Sequence, residues 1–189
     1  MKLSRHFSLS EMTKSQTASR LGIFNNPDDE EVNNLSILCR KVLDQVRDNY
    51  GIPFSPSSGF RSSELNAQIG GASTSQHVEG KAADIEVPTV DNLLLAVWIR
   101  DNLKFDQLIL EHYDPVDPSS GWVHVSYAFK KNRMECLSYV DGDYRIGIGG
   151  GSIEDSGGPT RTRRSTFAKL TLVLITLIRD ALSPRRRND

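Results

Sequence analysis

His77 and Asp84 are an imidazole and a carboxylate separated by six residues in SQHVEGKAADIEV, with Gly80 between them. A second imidazole, His124, stands far along the chain in GWVHVS. Two histidines and one aspartate form a three-ligand set of the kind that holds zinc and leaves a fourth position for water. A single negative ligand charge leaves the ion cationic enough to acidify that water and polarise a carbonyl. A His–Asp pair by itself is weak, since most such pairs bind no metal. The reading therefore depends on the chain bringing residue 124 to the pair.

Three further groups have types suited to hydrolysis. Glu111 closes an apolar run, FDQLILE, and is the candidate general base and acid; a solvent-facing Glu at a strand end is the plain alternative. His112 is its neighbour but should point the other way on a strand. Asp114 and Asp117, in a proline-bearing loop, are weaker substitutes for Glu111. Arg61 follows Gly59-Phe60. It either clamps a carboxylate or a developing negative charge, or it pairs with Glu64 or Glu79. Ser75 and Gln76 precede His77 and either order its loop or touch peptide groups. Trp122 either walls a groove or belongs to the core.

The elements that must position these groups are legible from periodicity. Asp28 to Gly51 predicts the strongest helix, with Val32, Leu35, Leu38, Cys39, Val42, Leu43 and Val46 recurring at steps of three and four. Asp28 to Glu31 put negative charge at its amino end, where the helix dipole favours it. Ser8 or Ser10 caps a short helix reaching Met12 and Thr13, and Ser62 or Ser63 begins another that ends at Gly70-Gly71. Ala82 to Val87 alternates as a strand with Asp84 on one face and Ala83 and Ile85 on the other. Val90 to Ile99 predicts a helix whose apolar face is Leu93, Leu94, Val97 and Trp98. Phe105 to Leu110 and Trp122 to Tyr127 predict two more strands, the second placing Trp122, His124 and Ser126 on one side. Leu137 to Tyr144 predicts a hairpin turning at Asp141-Gly142. The expected fold class is α+β: a small antiparallel sheet with flanking helices in a single domain over residues 1–146.

Beyond it, residues 147–160 are glycine-rich and read as a linker. Residues 161–189 form a basic tail around LTLVLITLI. That nine-residue apolar run is shorter than the roughly 20 residues a bilayer-spanning helix needs; an interfacial helix, an extra core strand or unordered chain are the readings open. The 189 residues carry a net charge of −1, but unevenly: residues 1–150 hold 15 basic and 20 acidic groups, and 151–189 hold 8 and 4. The acidic main body offers no footprint for nucleic acid. Cys39 and Cys136 lack any metal-binding spacing, and Cys39 falls on the apolar side of its helix. MKLSRHFSLSEMT has no apolar secretory core, so synthesis in the cytoplasm without classical export is expected.

SGFRSSELNAQIGG, SQHVEGKAADI, FDQLILE and GWVHVSY together resemble the zinc D-Ala-D-Ala carboxypeptidase family, which also holds peptidoglycan endopeptidases. The similarity is to its compact single-domain members from phages and bacterial genomes, and it spans roughly residues 3–145. It implies zinc held by His77, Asp84 and His124, with Arg61 binding or polarising a peptide substrate. In many relatives an acidic base stands three positions before the last zinc histidine. Here that position is Gly121, and the compact subgroup instead uses the Glu that closes its apolar strand, which matches Glu111. The implied activity is hydrolysis of peptidoglycan stem peptides by a monomer, as a phage lysin or a cell-wall peptidase. Two other readings share the motifs: a zinc-containing module that grips cell-wall peptides without cutting them, and a phage structural component. Nothing in the resemblance covers the tail.

Overall fold

The computed structural model describes residues 1–148. The linker beyond Ile148 and the basic tail expected at 161–189, with its apolar run, lie outside the described residues. Among the described residues no helix is long and apolar enough to cross a membrane.

Local chemistry explains the helices. Ser8 caps α1 (Leu9–Met12) in a reciprocal capping box with Glu11, and Ser15 caps α2 (Gln16–Leu21). Asp28 opens α3 (Asp29–Leu38) in a second box with Glu31. The helix runs on through a π turn at Cys39–Leu43 into α4 (Asp44–Tyr50) and stops at Gly51. Leu35, Leu38, Cys39, Val42, Leu43 and Val46 are fully buried, as their spacing predicts. Burial pushes the Cys39 thiol up to about 12, so it is inert, and both cysteines are free. Asp44 is buried among these apolar groups because it accepts bonds from Ser4 Oγ (2.8 Å) and the amides of Arg5 and His6. Those bonds tie the N-terminal segment to the long helix.

Ser62 caps α5 (Ser63–Gln68), and Asp91 caps α6 (Asn92–Asn102). The sheet comprises β1 (Ala82–Ile85), β2 (Gln107–Glu111), β3 (Trp122–Ser126), β4 (Glu135–Val140) and β5 (Asp143–Ile146). Its order is β1-β3-β2-β4-β5. Three pairings are antiparallel, and β2 with β4 is parallel. The parallel pair arises because the chain leaves β3 and passes to the far side of β2 before reversing. The last hairpin turns at Asp141-Gly142, both with positive φ (55° and 88°), as a two-residue turn between twisted strands requires.

The two faces of the sheet do different work. Ala83, Ile85, Leu108, Leu110, Val123 and Val125 join the long helix and α6 in one core. Each large aliphatic side chain contributes about 2 kcal/mol by leaving water. The alternate residues Asp84, Ile109, Glu111, Trp122 and His124 face away from that core. One expectation is corrected here. On α6, the residues turned inward are Asn92, Leu95, Ala96 and Ile99, while Leu94 is 47% exposed and Leu93 and Trp98 lie on the flank of the core. NLLLAVWI is apolar almost all round, so periodicity offers two stripes. In the rotation adopted, Asn92 is buried on the inward stripe and its Nδ2 bonds the carbonyls of Ser120 and Gly121.

Candidate metal centre

The loop that carries His77 is tied at both ends. Lys81 N bonds Gln76 O (2.9 Å), and His77 O accepts from both Gly80 N and Arg61 N. Residues 57–61 run beside β1 as an added edge: Asp84 N bonds Ser58 O (2.8 Å) and Ser57 N bonds Asp84 O (3.0 Å). This edge brings the Gly59 carbonyl within 2.6 Å of His77 Nδ1. A carbonyl only accepts, so Nδ1 carries the proton and Nε2 presents a lone pair. That lone pair lies 3.2 Å from both His124 Nδ1 and Asp84 Oδ1, which are themselves 2.9 Å apart. In β-register Asp84 is directly opposite His124, so the sheet supplies two of the three donors and the loop the third.

All three side chains are buried, and their donor atoms converge on one point. Atoms bound at about 2.0–2.1 Å to a tetrahedral ion lie roughly 3.3 Å apart, which is close to the separations found. The protons also fit. Only His124 Nδ1 has one to share among the three atoms, which binding a cation would release, so a lone pair on His77 faces a carboxylate oxygen. A cation resolves that repulsion. Burial pushes the Asp84 carboxyl up, but its partners, the His124 Nδ1–H among them, outweigh it and hold the group ionised, well below the usual carboxylate range. Its other oxygen accepts from Arg61 Nη2 at 2.6 Å, and Arg61 Nε bonds Ser58 Oγ at 2.8 Å. The ion pair that Arg61 makes is therefore with Asp84, not with Glu64 or Glu79. Its Nη1 has no hydrogen-bond partner among the described residues, and Arg61 lines the pocket.

That pocket has a volume of about 460 Å³ and is lined by the metal trio together with Arg61, Ser75, Gln76, Glu111 and Trp122. The proposed ligands, Glu111, Arg61 and the three substrate-facing residues Ser75, Gln76 and Trp122 thus line one pocket. Burial raises the Glu111 carboxyl above its ordinary value and the Asp84 charge adds to this, while His124 and Arg61 pull the other way. Gln76 is held by Asp106 Oδ2 (2.9 Å), and Asp106 in turn is gripped by Arg133 through Nε and Nη2. Ser75 forms a backbone turn with Ala72. Asp114 and Asp117 accept bonds within their own loop and do not line the pocket. A cleft of about 430 Å³ between residues 86–92 and 117–119 gathers no comparable trio among the described residues.

His112 does not point away from Glu111's side as a regular strand would require. Its φ of 54° turns the ring onto Trp122 (5.0 Å) and Tyr139 (5.1 Å). A non-glycine residue in that region costs about 1–2 kcal/mol, and the ring contacts offset it. Tyr139, Tyr144 and Arg133 were not singled out from the sequence. Counting outward from the Asp141-Gly142 turn places Tyr144 opposite Tyr139, so the hairpin signal alone could have found that pair.

The family model described as Peptidase M15 matches residues 5–126. The chain belongs to the peptidase M15 family. It is a metallopeptidase, and M15 peptidases are zinc-dependent, in keeping with the trio described above. Peptidases of this family act on cell-wall peptides. The match ends with β3 and so includes every M15 candidate ligand and Glu111, but not the β4–β5 hairpin. No curated protein matches the chain significantly.

Position 121 of this chain has no room for a side chain. Gly121 has φ 66°, and a Cβ there would lie 1.9 Å from Glu111 O and 2.6 Å from His112 C. Gly121→Ala is expected to destabilise the protein by about 2 kcal/mol or more and to slow turnover about 100-fold by displacing Glu111. Urea unfolding and steady-state rates measure both. Wild-type values in the variant would show that the two segments are not pressed together.

Acid should loosen the other wall. Burial pushes Asp106 up, but Arg133 and Gln76 outweigh it, so its carboxyl sits below the ordinary value. Such a group contributes stability that is present above the unfolded-state value of about 3.9 and lost as pH falls through the lower folded one. Metal-free Asp106→Asn is expected to be about 1–2 kcal/mol less stable than wild type at pH 7. The gap should close at lower pH, once the wild-type carboxyl is protonated. Urea midpoints at the two ends of the range test this, and a constant gap would refute it.

Proposed function

We propose that the chain hydrolyses peptide bonds in peptidoglycan stem peptides, as a D-Ala-D-Ala carboxypeptidase or a murein endopeptidase, with His77, Asp84 and His124 holding zinc. Zinc, when bound, acidifies a water and polarises the scissile carbonyl. Glu111 accepts the water's proton and returns it to the leaving amine. Its raised carboxyl value suits both halves of that exchange. Arg61 keeps Asp84 oriented through Nη2 and offers Nη1 to a substrate carboxylate or carbonyl oxygen. Trp122 walls the groove, and Ser75 and Gln76 border its other side, where peptide groups would lie. The observation that carries this reading is the convergence of three metal donors, a half-buried glutamate and a partly uncommitted arginine on one pocket.

The domain that does this chemistry is taken as residues 1–146. Mass analysis of products from defined stem peptides is the test. Loss of a terminal D-Ala identifies a carboxypeptidase, and an internal or cross-bridge cut identifies an endopeptidase. Zinc-loaded protein that binds these peptides and releases nothing would overturn the catalytic reading in favour of a binding module.

A further inference from the structure

We propose that the aromatic row beside Glu111 is a saccharide subsite, and that Tyr144 is its specificity-determining residue. The proposal rests on the cell-wall peptidase reading above. Sheet register sets Trp122, Glu111, Tyr139 and Tyr144 directly opposite one another across β3, β2, β4 and β5. They share the face that carries Asp84 and His124, two residues along each strand. The His112 ring fills the space between Trp122 and Tyr139, and the Tyr139 and Tyr144 rings are 4.8 Å apart. The rings thus form one continuous surface. Tyr144 is 61% exposed, lines the same pocket as the metal trio, and its hydroxyl has no hydrogen-bond partner among the described residues.

Charge and length identify the occupant. The cations at this end each have a carboxylate beside them: Arg133 has Asp106 and Glu135, and Arg145 has Asp141 at 3.8 Å. Glu111 is anionic when it acts as a base. A carboxylate therefore has no welcome here, whereas an uncharged ring with apolar faces and hydroxyl edges fits aromatic faces with polar tips. Arg61 lines the same pocket beside β1, the edge strand opposite β5. Four inter-strand steps from β1 to β5 cover about 19 Å, and five extended residues span about 17 Å. A stem peptide with its terminal carboxylate toward Arg61 thus delivers the sugar at its other end to Tyr144.

The test uses the zinc-loaded Glu111→Gln protein, so that binding is read without cleavage. Calorimetry compares a stem pentapeptide with the same peptide carrying N-acetylmuramic acid. The sugar-bearing ligand is expected to bind about 10-fold tighter, a gain of about 1.4 kcal/mol. Adding Tyr144→Ala should erase that gain and leave the affinity for the bare peptide unchanged. Tyr144→Phe should keep part of it, since the ring stays. Zinc content and melting temperature, unchanged in both, exclude a folding defect. Equal affinity for the two ligands in the parent protein would overturn the subsite, as would an equal loss for both in Tyr144→Ala. Failure to bind either ligand would instead overturn the cell-wall reading itself.

Discussion

Glu111→Gln is expected to turn over stem peptides about 10²–10⁴-fold more slowly than wild type while binding zinc at the same stoichiometry. The glutamine keeps the size and shape of the side chain but cannot accept the proton of the attacking water. Glu111 does not belong to the converging donor trio, so the metal should stay. A second readout separates this from a structural effect. Burial and the Asp84 charge raise the Glu111 carboxyl in the fold. An acid raised on folding costs stability wherever it is ionised, that is, above its unfolded value of about 4.3. The metal-free Gln protein should therefore melt at or above the wild-type temperature at pH 7. Product release by mass spectrometry, metal content and a melting curve decide it. Normal turnover in the variant would remove Glu111 from the role of base, and loss of zinc would make it part of the metal site.

His124→Ala is expected to abolish both activity and the response of stability to zinc. Ligand binding to the folded state alone stabilises it, by about 2.7 kcal/mol when the ligand is at 100 times its Kd. Wild type should show a rise in melting temperature on adding zinc that a chelator reverses. Removing His124 leaves one histidine and one carboxylate, and that carboxylate is still bonded to Arg61 through its other oxygen. The variant's melting curves with and without zinc should then superimpose. A zinc-dependent rise surviving in His124→Ala would show that the ion sits elsewhere.

Much of this was legible in the chain because it depends on neighbours in sequence. The cap at Ser8, the acidic helix start at Asp28 to Glu31, the stop at Gly51 and the turn at Asp141-Gly142 each need only a few adjacent residues. The period of two in AADI and WVHVS assigned Asp84 and His124 to the polar face of their strands, and the structure pairs them directly. Other features depended on packing. The inward stripe of α6 is not decided by its period, because the helix is apolar nearly all round; in the fold Asn92 lies on that stripe and bonds residues 28 and 29 positions away. The direction of His112 escaped a strand rule because one positive φ reverses it. Nearby Glu64 and Glu79 are the partners that the chain offers Arg61 by proximity, yet the one it takes, Asp84, lies 23 positions on.

The sequence by itself determined which groups could hold a metal and which side of each strand they occupy, because donor chemistry and the two-residue strand period are local properties. Only the tertiary structure decided that the three donors meet at 2.9–3.2 Å, although His77 and His124 are 47 residues apart. Pairing β1 with β3 makes Asp84 and His124 neighbours, and a loop locked by the Gly59 carbonyl swings His77 onto them. The same long-range pairing set Glu111 and the aromatic row beside the metal. A zinc site needs its donors placed to within tenths of an ångström, and only a packed sheet can impose that on residues so distant in the chain.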